Sequence, residues 1–190
     1  FAGELYRHHF KDVESVLYEL IPGEIEEKLN EGIIDVGITY MPVPHQNIDH
    51  IKICDIQMGV FGIKTLFTKK DFKNLPFVIP VRPIASAPTK ARGLDGWPDD
   101  KVFRQIFYRV TLMESALEMC RQGLAVAYLP SFIVKLHNLR VKKEYQLNAL
   151  AQPLKLNERK QSVYLVKRKG DIEDQIDKKL ARALRMSLVD

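Results

Sequence analysis

The sequence predicts an α/β protein with two lobes. Two stretches carry this prediction, residues 22–38 and residues 111–130, because each reads as an amphipathic helix, a glycine and a short apolar strand. This order is the helix-to-strand half of a parallel βαβ unit, in which a helix packs on a sheet. Two such units about 90 residues apart indicate two α/β lobes, and a cleft between lobes is a common place for a small-molecule site.

The later stretch shows every part of such a unit. Thr111 and Glu114 have the spacing of a capping box, which predicts Thr111 as the N-cap of the helix. The predicted buried face repeats at helical spacing and comprises Met113, Ala116, Leu117 and Cys120. Gly123 is predicted to end the helix in a left-handed conformation. The apolar run 124–129 is typical of a parallel strand buried on both faces.

The earlier stretch follows the same order. Pro22 suits the first turn of a helix, where its missing N–H costs little. The three glutamates of that turn favour the positive end of the helix dipole. Ile25 and Leu29 form the predicted buried stripe, Gly32 ends the helix, and residues 33–39 are predicted to form a strand.

The remaining elements are predicted from apolar periodicity and from the positions of proline and glycine. Further helices are expected at residues 1–11, at 131–136 and from an N-cap at Asp171, with a short helix or turn at 69–75. Further strands are expected at 14–20, 51–66, 77–81, within 102–110 and at 161–167. Loops are expected at 41–47 and 82–100, and the second, which contains Trp97, is predicted to lie on the surface.

The composition is that of a compact binding domain. Hydrophobic residues make up 46% of the 190 residues, enough for a sizeable core. No apolar run reaches the ~18 residues of a membrane helix. Cys54 and Cys120 form no motif and are expected to be reduced thiols in a cytoplasmic protein. Because the chain begins with Phe1, we interpret it as a piece of a longer protein.

Motifs that carry catalytic or metal chemistry are missing from the sequence. It has no phosphate-binding glycine loop, no Gly-x-Ser-x-Gly and no cysteines at zinc spacing. His8 and His9 are adjacent, and His45 and His50 lie in or near a predicted loop, which is typical of surface or half-buried histidines. We therefore predict no enzyme activity, no cofactor and no metal site.

Charge is unevenly distributed along the chain. The net charge is +5, and residues 135–169 hold ten basic side chains against two acidic ones. Such a stretch could contact nucleic-acid phosphates or attract an anionic ligand. A solvated face is the more common origin of a charged run, and we favour that interpretation.

Two motifs stand out in this order of elements. One is Glu31-Gly32-Ile33-Ile34-Asp35-Val36-Gly37-Ile38 and the other is Gln122-Gly123-Leu124-Ala125-Val126-Ala127-Tyr128-Leu129-Pro130. With the β-rich middle between them, they resemble the effector-binding domain of LysR-type transcriptional regulators. The resemblance extends over the whole chain. It implies a type 2 periplasmic-binding-protein-like fold with a cleft between two Rossmann-like lobes, residues 1–57 with 162–190 and residues 58–161.

The resemblance also implies a function and partners. The chain would be an effector-sensing and oligomerisation domain, binding a small-molecule inducer in the interlobe cleft. It would form a homodimer or tetramer and contact DNA only through a winged helix-turn-helix expected before Phe1. Such a protein is cytoplasmic, non-enzymatic and independent of membranes. The alternative is a periplasmic or lipid-anchored solute-binding protein of the same fold.

In this family, ligand contacts are expected at strand ends and helix N-termini, where backbone amides attract anions. The candidate ligand-binding residues are Ile21, Pro22, Thr39, Tyr40, Val81, Arg82, Pro83, Thr111 and Met113. Arg82 is the one fixed positive charge among them, so we expect an organic acid with an apolar body. Ile21 and Pro22 depart from the family, which often has Ser or Thr there. Any of these residues could instead serve only to pack or to end a strand.

Overall fold

A computed structural model of the chain describes residues 14–81, 94–171 and 175–188. Among them are five α-helices: α1 (Glu24–Asn30), α2 (Lys64–Phe67), α3 (Met113–Arg121), α4 (Ser131–Asn138) and α5 (Gln175–Leu188). The strands are β1 (Gly37–Thr39), β2 (Ile48–Gly62), β3 (Pro76–Pro80), β4 (Gln105–Val110), β5 (Ala127–Pro130), β6 (Asn148–Ala149) and β7 (Lys160–Arg168). None of the helices in these ranges is long and apolar enough to span a membrane.

The chain divides into two compact units. The first unit comprises the residues up to Ile56 together with those from Gln161 onward, and the second unit comprises Gln57–Lys160. The chain passes from one unit to the other within β2 and again at the start of β7. Both units combine helices with strands, as the sequence predicts for an α/β protein.

In the first unit, α1 packs on a pair of antiparallel strands. β1 pairs with β7, so that Gly37 lies opposite Val166, and β7 also neighbours β2. Ile25 and Leu29 of α1 are buried in one cluster with Ile48 and Val166. A Cβ at Gly37 would lie 2.5 Å from Cγ2 of Ile25. Glycine at this position therefore lets the helix approach the strand closely.

In the second unit, α3 packs on parallel strands. β3 and β4 are parallel, with Pro80 opposite Val110 at their carboxyl ends. Val126 extends this sheet on β3: Val78 N–H donates to the Val126 carbonyl (3.0 Å) and Val126 N–H donates to the Pro76 carbonyl (2.8 Å). β5 then pairs antiparallel with β2. The buried face of α3 shares one core with the strands through Ala116, Leu117, Cys120, Ala125 and Ala127.

The glycine signals that end the two helices are confirmed. α1 ends at Asn30 and α3 ends at Arg121, and each is followed by a glycine with positive φ, 73° at Gly32 and 70° at Gly123. Residues that carry a Cβ rarely adopt this left-handed backbone conformation, because the Cβ crowds the following carbonyl. Both helix ends were therefore readable from the sequence.

We expect Gly123→Ala to lower the free energy of unfolding by about 1 to 3 kcal/mol, the usual cost of a non-glycine residue in this conformation. A Cβ at Gly123 would overlap Cδ1 of Leu66, whose exposed side chain can move aside. Gly170→Ala is the matched control, because Gly170 has φ of 84° and open space around its Cβ position. Urea denaturation should give similar losses for both variants. A loss more than ~3 kcal/mol larger for Gly123→Ala would mean that Leu66 cannot move.

The predicted strand at 14–20 is wrong. These residues form neither helix nor strand, and Val16 is 72% exposed. A strand needs a hydrogen-bonded neighbour for its backbone groups, and no strand in the described ranges pairs with this segment. The strand predicted at 33–39 is shorter than expected, because Ile33 N–H donates to the carbonyl of Lys28 (2.9 Å) and stays in the turn after α1.

The start of α3 and the pairing of two strands also differ from the prediction. Leu112, not Thr111, is the N-cap, and no side chain caps the helix. The strand after α3 has a parallel contact at Val126, whereas residues 127–130 pair antiparallel with β2. β1 is antiparallel as well. Spacing along one segment cannot show which distant strand becomes its partner.

Several other predictions are confirmed, and some cannot be compared. α4 and β7 include the predicted segments 131–136 and 161–167, and no helix or strand interrupts residues 41–47. The predicted helix 1–11 lies outside the described residues, as do 82–93 of the predicted loop. The same holds for 172–174, so the predicted cap at Asp171 stays a prediction.

Candidate functional site

In the first unit, the candidate residues lie before α1 and after β1. Ile21 and Pro22 are partly buried in the turn that leads into α1. Thr39 is the last residue of β1 and is buried, and its Oγ1 accepts the N–H of Met41 at 3.1 Å. Tyr40 follows directly and is partly buried. We call Ile21, Pro22, Thr39 and Tyr40 the first half-site.

The carboxylate of Glu26 brings the two segments of the first half-site together. Its Oε2 accepts the N–H of Gly23 at 2.8 Å, next to Pro22. Its Oε1 accepts the N–H of Val43 at 2.9 Å, at the end of the segment 39–43. The bond to Gly23 spans three residues of the chain, and the bond to Val43 spans 17.

In the second unit, the candidate residues lie at the carboxyl edge of β3 and β4. Val81 follows β3 and donates its N–H to the carbonyl of Val110, the last residue of β4, at 2.8 Å. Thr111 comes next, and Met113 begins α3. Met113 is 46% exposed and not on the buried face that the sequence predicts. We call Val81, Thr111 and Met113 the second half-site.

The second half-site lies where β3 and β4 end and α3 begins. Loops after parallel strands, followed by a helix N-terminus, are a frequent place for small anions. The N-cap Leu112 makes no side-chain cap hydrogen bond, and the first amides of a helix have no partner inside the helix. Arg82 and Pro83 lie outside the described residues, although Arg82 directly follows Val81 in the chain.

Sequence reasoning missed a buried ion-pair cluster before β4. The side chain of Arg104 is 1% exposed and donates from Nη2 to Asp95 Oδ1 (3.1 Å) and from Nε to Asp99 Oδ1 (2.9 Å). Trp97 is fully buried beside it, and its indole N–H donates to the carbonyl of Val102 at 2.8 Å. The prediction that Trp97 lies on a surface loop is therefore wrong.

The environment of Arg104 keeps its guanidinium charged and pairs it with the carboxylates of Asp95 and Asp99. Burial alone would lower the pKa of the guanidinium, but hydrogen bonds and attraction from Asp95 and Asp99 outweigh it, so the pKa is raised. The guanidinium also lies over the rings of Phe77 and Trp97, 5.7 and 5.6 Å from their centroids. Because two carboxylates neutralise this charge, Arg104 is not the cation that would hold an anionic ligand.

The cysteines do not resemble a reactive redox pair. Burial raises the pKa of Cys120 to about 12, and burial is also the largest cause that raises the pKa of Cys54. Reactive cysteines have the opposite property, a lowered pKa and an accessible thiolate. In the ranges that the structure describes, no group of three or more metal-binding side chains comes together.

At neutral pH, we expect a thiol-specific disulfide reagent to label Cys54 and not Cys120. Cys54 is partly exposed, whereas Cys120 is buried on α3 and its pKa lies far above neutrality. Spectrophotometric counting should therefore find one thiol in the folded protein and two in guanidinium chloride. Cys54→Ser is the control and should give none when folded. Rapid labelling of both cysteines in the folded protein would contradict the burial of Cys120.

Comparisons with known proteins identify the family and the fold. A sequence model described as the LysR substrate binding domain matches residues 4–185. A search of curated proteins found no match. The chain superposes on the regulatory domain of CcmR from Synechocystis PCC6803 in complex with 2-PG, with TM-score 0.67 and 12% identity, covering 100% of this chain and 89% of that one.

Two further solved structures resemble the chain in fold. The effector binding domain of a BenM variant matches with TM-score 0.64 and 18% identity, over 97% of this chain and 85% of that one. Full-length CbnR in complex with its target DNA matches with TM-score 0.63 and 16% identity, over 100% of this chain and 66% of that one. The chain therefore spans just under two thirds of the length of CbnR.

At these identities, the likenesses establish a type 2 periplasmic-binding-protein-like fold. Because the family model matches residues 4–185, the chain belongs to the LysR substrate binding domain family.

Proposed function

We propose that the chain is the effector-sensing and oligomerisation domain of a LysR-type transcriptional regulator. The observation that carries this proposal is the family match over residues 4–185. The names of two structural neighbours support ligand binding, since the CcmR domain was solved with 2-PG and the BenM domain is called effector-binding. The role is binding and not catalysis, and we propose a cytoplasmic location. The solute-binding alternative is not favoured, because the matching family is that of the regulators.

We further propose that the effector is a small organic acid with an apolar body. The second half-site supports this, because the uncapped N-terminus of α3 and Arg82 both favour an anion. In the first half-site, Ile21 and Pro22 offer apolar surface instead. The candidate residues Ile21, Pro22, Thr39, Tyr40, Val81, Arg82, Pro83, Thr111 and Met113 remain our proposed contacts.

A thermal-shift screen tests the proposed function. The panel contains aliphatic and aromatic carboxylates, including benzoate, with glucose and sodium sulfate for comparison. A ligand at 100 times its Kd stabilises the folded state by about 2.7 kcal/mol, which raises the midpoint of a domain of this size by roughly 5 to 10 °C. We expect such a shift from at least one carboxylate and none from glucose. Shifts from sulfate alone, or from sugars alone, would contradict the proposed ligand class.

We propose that copies of the chain associate, and that DNA is contacted through a segment outside these 190 residues. The full-length CbnR structure with DNA supports the second point by analogy. For association, our proposed surfaces are α1, α3 and the neighbouring β4. β4 pairs only with β3 among the described strands, and Phe103, Ile106 and Phe107 are exposed on or next to it.

We expect Phe107→Glu to weaken self-association by at least about tenfold, because a charge would be buried at an apolar contact. Phe107 is 56% exposed, so the substitution should leave the folded unit intact. Leu139→Glu is the matched control, since Leu139 is 80% exposed and lies elsewhere in the second unit. Sedimentation equilibrium at high micromolar concentration measures both. Equal association constants for Phe107→Glu and the parent would exclude β4 from the interface.

A further inference from the structure

One buried charge in the first unit is not used by the proposed effector contacts. Glu26 is the third residue of α1 and is 1% exposed. Its carboxylate accepts hydrogen bonds from Gly23 N–H (2.8 Å) and Val43 N–H (2.9 Å). Oε1 also lies 3.3 Å from Nε2 of His50, which donates in the tautomer that protonates this nitrogen. All these neighbours can donate, so the ionised carboxylate satisfies them and a neutral amide cannot.

The hydrogen bonds of Glu26 are of two kinds, one local bond at the start of α1 and two that reach distant parts of the chain. The bond to Gly23 spans three residues and is an ordinary closure of a helix start. The bonds to Val43 and His50 reach 17 and 24 residues along the chain. A helix cap does not require them. The bond to Val43 fixes the segment 39–43 against the turn 21–23, which are the two segments of the first half-site, whereas the bond to His50 joins α1 to β2.

We propose that Glu26 is the positioning residue of the first half-site. Its carboxylate sets the separation of the segments that carry Ile21, Pro22, Thr39 and Tyr40. It also occupies the amides of Gly23 and Val43, so that these two amides are not available to an anionic group of the effector. This inference rests on the proposed function for its ligand, but the geometry it invokes exists without ligand.

Amide hydrogen exchange of the protein without ligand tests the positioning. Glu26→Asp keeps the charge, and its shorter side chain can retain the bond to Gly23 but falls short of Val43. Because a hydrogen bond to a charged group is lost, we expect Val43 to exchange at least about tenfold faster in this variant. Exchange at Leu165 and Val166 in the core of β7 should change less than about twofold.

Glu27→Gln is the matched control, because Glu27 is an exposed first-turn residue of the same helix and should leave Val43 unchanged. Glu26→Gln is the second variant. Its amide group keeps one acceptor, so we expect faster exchange at Gly23 or Val43, again without a change in β7. If amide exchange became faster by the same factor at Val43 and in β7, Glu26 would serve only global stability. If exchange at Val43 were unchanged, the hydrogen bond from Val43 N–H to Glu26 would not protect that amide. Either result overturns the proposal.

The binding experiment uses the carboxylate that gives the largest shift in the thermal-shift screen proposed above. Calorimetry should show at least about tenfold weaker binding to Glu26→Asp and unchanged binding to Glu27→Gln. Unchanged affinity for Glu26→Asp would overturn the positioning role while leaving the effector-binding function standing. Absence of any binding carboxylate would contradict the proposed function, and the exchange result would still decide the role of Glu26 in joining the two segments.

Discussion

Replacing Arg104 with Met is expected to lower the free energy of unfolding by about 3 to 5 kcal/mol, the usual cost of removing one partner from a buried ion pair. The Arg104 side chain is 1% exposed and binds both Asp95 and Asp99. Without the guanidinium, the buried carboxylate of Asp95 loses its cation in a poorly solvated place. Chemical denaturation of both proteins measures the difference.

Lys52→Met is the matched control for this prediction. Lys52 Nζ lies 2.8 Å from Asp55 Oδ1, but both side chains are about half exposed, so water and salt screen the pair and we expect a much smaller loss than for Arg104→Met. Adding Asp95→Asn to Arg104→Met should recover part of the stability, because the uncompensated charge is removed. Losses of equal size for Arg104→Met and Lys52→Met would contradict the buried cluster.

Arg82→Ala is expected to weaken binding of an organic-acid effector by about 1.5 to 3 kcal/mol, the usual value of a hydrogen bond to a charged group. Arg82 follows Val81, which β4 holds at the carboxyl edge of the parallel strands. Arg104, a buried cation of the same unit, is already neutralised by two carboxylates. Arg82 is therefore our proposed partner for the anionic group.

Isothermal titration calorimetry with the carboxylate identified by thermal shift measures this effect. Lys101→Ala is the control, since it removes one exposed positive charge from the same unit and should change affinity little. The stability of the ligand-free protein should also change little in Arg82→Ala. If Arg82→Ala binds as tightly as the parent, the anionic group must be held by other residues.

Predictions from local chemistry agreed best with the structure. The two helix ends could be predicted because a single glycine with positive φ ends each of them. The buried face of α3 could be predicted because helical spacing places Ala116, Leu117 and Cys120 on one side. Met113 was the exception, because a residue in the first turn of a helix can lie beyond the edge of the core that the rest of the stripe contacts.

Predictions that depend on distant partners failed. Residues 14–20 have the composition of a strand, yet no described strand pairs with them. Trp97 lies among turn residues and is nevertheless buried, because Phe72, Phe77 and Tyr128 surround its ring with centroids 5.0 to 5.9 Å away. Contacts of this kind join segments far apart in sequence, and no local pattern records them.

The candidate site could be predicted only in part for the same reason. Strand ends and a helix start are visible in the sequence, so Thr39, Val81 and Thr111 could be proposed. The long-range bond from Glu26 to Val43 could not, because Glu26 reads as one of three similar glutamates in the first turn of a helix. The signal that would have found it is the pair of prolines around Val43, which leaves that amide in a loop without a strand partner.

The most direct test of the account is to map the amide chemical-shift changes caused by the carboxylate that binds this LysR substrate binding domain. We expect a saturable response with the largest changes at residues 21–23 and 39–43 in the first unit and at 81–83 and 111–114 in the second. Largest changes confined to the basic stretch 135–169, or to α5, would show that the ligand binds elsewhere and would contradict the proposed effector site.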